Sequence, residues 1–131
     1  LKRYKDAYSN AEKFMTRNPD EVFIRLQLAV EGANLVRTGT KDFAPVSRDY
    51  AVKAIELIEA NKRPAGVEDA EWSEYQTKWL PQLYQSAGIL NYDGGDRAKA
   101  FTLFEKAAKL NSADVNNWIL LAQMRDDEYQ A

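Results

Sequence analysis

Residues 95–111 read Gly95-Asp96-Arg97-Ala98-Lys99-Ala100-Phe101-Thr102-Leu103-Phe104-Glu105-Lys106-Ala107-Ala108-Lys109-Leu110-Asn111. Ala100, Phe101, Leu103, Phe104 and Ala107 recur at the three- and four-residue spacing that gathers side chains on one face of an α-helix. Asp96 stands just ahead of them, where a carboxylate can accept the free N–H groups of a first helical turn. Asp93-Gly94-Gly95-Asp96 is a tight turn, and Asn111-Ser112-Ala113-Asp114 closes the stretch. The spacing predicts a helix over Arg97–Leu110, with small residues at Ala100 and Ala107 on either side of Phe104.

The pattern repeats outward in both directions. Asp114 is placed to cap a helix from about Val115 to Tyr129. Upstream, Trp72, Tyr75, Trp79, Leu80, Leu83, Tyr84, Ala87 and Leu90 mark a long helical stretch from about Glu68 to Tyr92. Pro81 falls inside it, so either a new helix starts there or one helix bends; the unbroken period favours one bent helix. Ser47 is expected to cap a helix running to about Asn61, after a loop from Thr38 to Val46. The segment from Glu21 to Arg37 is apolar on more than one face, as a helix packed on both sides would be. Asp20 is its expected N-cap. A first helix covers about Lys2 to Arg17. No stretch alternates with period two, so the expected class is all-α with about six helices.

Ala100, Phe104 and Ala107 closely resemble the second helix of a tetratricopeptide repeat, with Ser112 where the family places a proline. Trp118, Leu121 and Ala122 resemble the start of the next repeat, and Tyr84, Ala87 and Gly88 the start of the one before. Tyr4, Ala7, Ala11 and Pro19 resemble another second helix, and Leu28-Ala29 another first helix. The turns at Pro19, Pro64 and Ser112 lie 45 and 48 residues apart, whereas the family period is about 34 and repeats of the HEAT type run near 40–47. The tetratricopeptide reading assigns the extra length to the Thr38–Val46 loop and to the Trp72–Trp79 segment. The resemblance implies antiparallel helix pairs stacked into a short right-handed superhelix, with residues 1–131 as a single domain. Ile119, Leu120, Leu121 and Met124 have no following helix to cover them, and the sequence opens without methionine. It is therefore expected to be a piece of a longer chain, able to self-associate through uncapped ends.

Composition narrows the chemistry. Apolar residues are 45% and charged residues 29% of the chain, ordinary for a folded protein. The net charge of -2 and the scatter of basic residues argue against a nucleic-acid partner. Lys2, Arg3 and Lys5 read as a solvated helix face. There is no cysteine and no histidine, which removes thiol chemistry and the commonest general base and metal ligand. No apolar run reaches the length of a membrane span. The acids at Glu68-Asp69, Asp93/Asp96 and Asp126-Asp127-Glu128 lack the arrangement of a hydrolytic pair or a calcium loop. No catalytic residue, cofactor or metal is expected, and the compartment is left open.

In the family, first-type helices line a concave face, which the resemblance maps onto Phe23, Leu26, Val30 and Ala33, then Gln82, Gln85, Ile89 and Tyr92, then Asn116, Ile119, Gln123 and Asp126. This mixed amide and apolar face suits a peptide or protein partner. The positions of the family's carboxylate clamp hold Leu26, Val30, Gln82 and Ser86, so that clamp is missing. The expected function is a protein-interaction module or scaffold. Two alternatives stand beside it: a structural or oligomerisation spacer, and a glycan-binding repeat using Trp72, Tyr75, Trp79 and Tyr84, of which Trp72 is the first suspect.

Overall fold

The computed structural model describes residues 2–130, and side chains as far as Asp126. Among them are six helical rods and no strand, the all-α class the spacing predicts. α1 is Lys2–Arg17, α2 Phe23–Arg37 and α3 Ala44–Glu59. The fourth rod joins α4, Asp69–Glu74, through a π-helical segment, Tyr75–Trp79, to α5, Leu80–Asp93. α6 is Arg97–Leu110 and α7 Val115–Gln130.

The fourth rod continues through its proline. Residue 81 has no N–H to give to the carbonyl four places back, and its ring crowds that carbonyl. A π-helical turn just before it widens the backbone there. Tyr75 and Leu80, at the two ends of that turn, keep helical dihedrals of -59°/-41° and -60°/-44°. The rod is therefore one helix with a local bulge.

Three helices end in the same way. After α2, the Thr40 N–H donates to Leu35 O at 2.8 Å and the Gly39 N–H to Val36 O at 3.1 Å. After α3, Lys62 and Asn61 donate to Leu57 and Ile58, and after α5, Asp96 and Gly95 donate to Asn91 and Tyr92. This is the Schellman motif, which needs a left-handed residue. Gly39, Asn61 and Gly95 take that role, with φ of 98°, 56° and 88°. Asp96 leaves the third of these turns and caps α6, accepting the Lys99 N–H at 3.1 Å. Asp114 caps α7 through the Asn116 N–H at 3.0 Å.

Two expected caps fall elsewhere. α2 starts at Phe23, and Glu21 rather than Asp20 accepts an early N–H, that of Ile24, at 3.0 Å. The buried Arg25 guanidinium donates to the carbonyls of Glu21 and Asn18 and fixes the turn in that register. α3 starts at Ala44, three residues before Ser47, because Pro45 fits the first helical turn. Ser47 is then fully buried inside α3. Its Oγ meets the Tyr8 hydroxyl at 2.7 Å, and that hydroxyl also donates to Leu28 O at 2.8 Å. One side chain thus ties α1 to both α2 and α3.

α2 packs on α3, α5 on α2, α3 and α6, and α7 on α6. The main core runs through α2, α3, the fourth rod and α6, with Ala29, Ala51, Ala54, Leu83, Leu90 and Ala107 at its centre. A satellite cluster of Tyr8, Leu35 and Phe43 holds α1, and another of Ala100, Phe104 and Met124 holds α7. Close approach is made at two glycines. A Cβ on Gly32 would fall on the Ser47 side chain, and one on Gly88 inside the Phe104 ring. These glycines sit at matching places in α2 and α5. The close approach in α2 thus comes three residues beyond the Leu28-Ala29 step that marks it in the sequence.

Candidate functional site

α2 and the fourth rod run side by side in the same direction. Phe23 meets Tyr75 edge-on at 6.2 Å near one end. Val30 and Trp79 share a cavity further along, and Val36, Ile89 and Tyr92 share another at the far end. Three cavities therefore follow one face of α2. The first, about 310 Å³, is lined by Glu21, Phe23, Glu71 and Tyr75 among others. The second, about 400 Å³, takes Leu26, Gln27, Val30, Glu31 and Trp79. The third, about 690 Å³, has Phe104 and Met124 at its base and Arg37, Lys41, Asp93 and Gln123 on its rim. Glu21 to Arg37 spans about 24 Å at the helical rise.

The residues expected on the concave face divide among several environments. Phe23 is 45% exposed on the first cavity. Leu26 and Val30 line the second, Leu26 showing only an edge because it belongs to the core. Ile89, Tyr92 and Gln123 come together in the third. Gln85 turns inward, donating from Nε2 to Asn117 Oδ1 at 2.9 Å and to Asp114 Oδ2 at 3.3 Å. Asn117 is buried, so this amide pair sets the register of α5 against α7. Gln82, Asn116, Ile119 and Asp126 are exposed outside the three cavities, and Ala33 is in the core.

Val36, Trp79, Arg37 and Lys41 line the groove without having been expected there. The matching glycines explain Val36: with Gly32 aligned on Gly88, Val36 takes the place of Tyr92. That offset cannot be read where the family's markers are absent from α2. Trp79 reads as core from its spacing, and only the parallel neighbour α2 brings it to the groove.

Trp72 is buried, and its Nε1–H donates to Asn61 Oδ1 at 2.7 Å. Gln76 Nε2 donates to the same oxygen at 3.0 Å. Trp72 is 5% exposed and borders a cavity of about 900 Å³ with Lys62, Arg63 and Gln76. Among the described residues no group of acids is placed to hold a metal ion, and no helix is long and apolar enough to cross a membrane. Asp127 and Glu128 lie outside the described side chains.

Four tyrosine hydroxyls are pushed above the ordinary value, Tyr8 and Tyr50 chiefly by burial and Tyr75 and Tyr84 most strongly. Burial, reinforced by Glu71 and Glu21, pushes Tyr75 up to about 12. Burial and the adjacent Glu59 carboxylate push Tyr84 up to about 12, and its hydroxyl donates to Glu59 at 3.1 Å. An unfolded tyrosine ionises near pH 10. The folded chain therefore holds these protons more tightly. Their contribution to stability is complete below about pH 10 and is lost as pH rises towards about 12. Tyrosinate absorbance is expected to show Tyr75 and Tyr84 titrating last, and Tyr75→Phe and Tyr84→Phe should each remove one of these latest steps. Titration of every tyrosine near the unfolded value contradicts this.

Comparison with protein families, curated proteins and solved structures finds no match to this chain.

Proposed function

We propose that the chain is a protein-interaction module of the tetratricopeptide type, a short right-handed stack of helix pairs that holds a peptide or protein along the α2–α5 groove. The observation that carries this reading is the line of three cavities down one face of α2. Each station pairs apolar side chains with a few polar ones, the composition that peptide grooves use for affinity and register. No catalytic step, cofactor, metal or nucleic acid belongs to the proposal.

Ile89 is half-buried at the third cavity. Ile89→Asp places a charge in the apolar part of the groove. It is expected to lower retention of a partner captured from the source cell at least about tenfold, the equivalent of 1.4 kcal/mol. The circular dichroism spectrum should be kept. Undiminished capture by the folded variant overturns the groove. An assembly spacer is the second reading, favoured by Trp118 and Ile119, each 51% exposed on α7.

A further inference from the structure

The groove is charged differently at its two ends. Glu21 and Glu71 line the first cavity, and among the described residues no basic one lines it. Both carboxylates share that cavity with Tyr75 and help raise the pKa of its hydroxyl. Lys62 and Arg63 line the neighbouring cavity beyond Pro64, where Arg63 pairs with Asp69, and Arg25 is turned into the Asn18–Glu21 turn. Glu31 lines the middle cavity, and Lys78 Nζ lies over its Trp79 ring at 5.2 Å.

At the other end the sign reverses. Arg37 and Lys41 stand on the rim of the third cavity. The Arg97 guanidinium lies over the Tyr92 ring at 5.3 Å, and the Arg48 guanidinium lies against Gly94. Among the described residues Asp93 is the one acid lining this cavity, and Lys41 Nζ holds it at 3.0 Å. Asp96 is engaged as the α6 cap. Arg37 makes no ion pair among the described residues. Part of its placement answers the negative end of the α2 dipole. That accounts for one cation, whereas Lys41, Arg48 and Arg97 come from a loop, α3 and α6.

The two ends are about 24 Å apart by the helical rise, beyond a Debye length of about 8 Å at physiological salt. Each end therefore selects its own charge, with apolar stations at Trp79, Val30, Val36 and Ile89 between them. We infer that the α2–α5 groove takes a charge-polarised apolar segment, whose basic end lies at Glu21 and Glu71 and whose acidic end lies at Arg37 and Lys41. Such a segment has about 16 residues if helical or about seven if extended. Its acidic end draws Lys41 away from Asp93. This inference rests on the proposed groove.

Selection from a displayed library tests it. Sixteen-residue peptides with apolar positions randomised and free charge at both ends are enriched on the immobilised chain, with Ile89→Asp as counter-selection. Enriched peptides are expected to carry bases at one end and acids at the other. On the double variant Arg37→Glu and Lys41→Glu, whose fold is checked by circular dichroism, the enriched set is expected to become basic at both ends. A representative polarised peptide should bind that variant at least about tenfold more weakly, and increasing salt should narrow the difference. Peptides that depend on Ile89 but show no charge asymmetry overturn the inference and leave the groove standing. Peptides that ignore Ile89→Asp, or no enrichment at all, overturn both. Enrichment of uniformly acidic or uniformly basic peptides overturns the polarity alone.

Discussion

Phe104→Ala is expected to cost about 3–5 kcal/mol, the range for truncating a buried aromatic. A domain of this size has about 5–15 kcal/mol in all, so the midpoint of thermal unfolding should fall by about 10–20 °C. The ring is 1% exposed and fills the space beside Gly88. It also joins Ala100 and Met124 in the cluster that holds α7 and forms the base of the third cavity. Removing it should loosen α7 before the main core, which lowers the urea m-value as well as the midpoint. A loss below about 1 kcal/mol would mean that the ring is not packed as described. The opposite side of the contact gives a sign test. Helix propensity alone makes Gly88→Ala stabilising by about 1 kcal/mol. The added Cβ would lie 2.9 Å from Phe104 Cζ and closer still to two other ring carbons. Overpacking costs about 1–3 kcal/mol, and a ring this buried has nowhere to swing. Gly88→Ala should therefore destabilise, and combining it with Phe104→Leu should cost less than the two changes added.

The same contact marks where the sequence was legible. Ala100, Phe104 and Ala107 announce a helix and its inward face, Asp96 announces its start and Asp114 that of α7. All of these are local signals, and α6 runs from Arg97 to Leu110 as the spacing predicts. Where local signals compete, the outcome depends on tertiary contacts. Asp20 and Ser47 both suit an N-cap. A buried Arg25 sets the first turn, and Pro45 with the Tyr8 hydroxyl claims Ser47 for the interior. The groove was legible only in part for a related reason. Ile89, Tyr92 and Gln123 follow from a frame fixed by Tyr84, Gly88 and Trp118. In α2 the glycine at the close approach is Gly32, which lacks the residues that flank Gly88, so no local signal marks Val36. Lys41 reaches the groove because the Schellman turn at Gly39 folds the chain back beside the end of α5. No periodicity carries that information.

Trp72→Ala should also cost about 3–5 kcal/mol, but its loss should be felt in a different place. α4 has six residues, too few to persist without tertiary support. Trp72 is its one buried side chain. The ring packs on Tyr75 at 5.8 Å, and its N–H ends on Asn61, the left-handed residue that closes α3. One residue thus joins the end of α3 to the start of the fourth rod. In the alanine variant, amide exchange should rise first in α4 and the Tyr75–Trp79 turn, ahead of α6. Trp72→Phe keeps most of the apolar area and removes only the hydrogen bond. Asn61 Oδ1 still accepts from Gln76 Nε2, so no buried acceptor is orphaned and the cost should stay near 1 kcal/mol. Asn61→Gly separates the backbone role from the side-chain role, since glycine keeps the left-handed turn at no steric cost. If Asn61→Gly and Trp72→Phe each cost about 1 kcal/mol and the double variant costs no more than one of them, the indole–amide bond is the link. Full additivity would place the stabilisation in ring packing alone. Equal losses for the phenylalanine and alanine variants would overturn the assignment of Trp72 as a buried anchor.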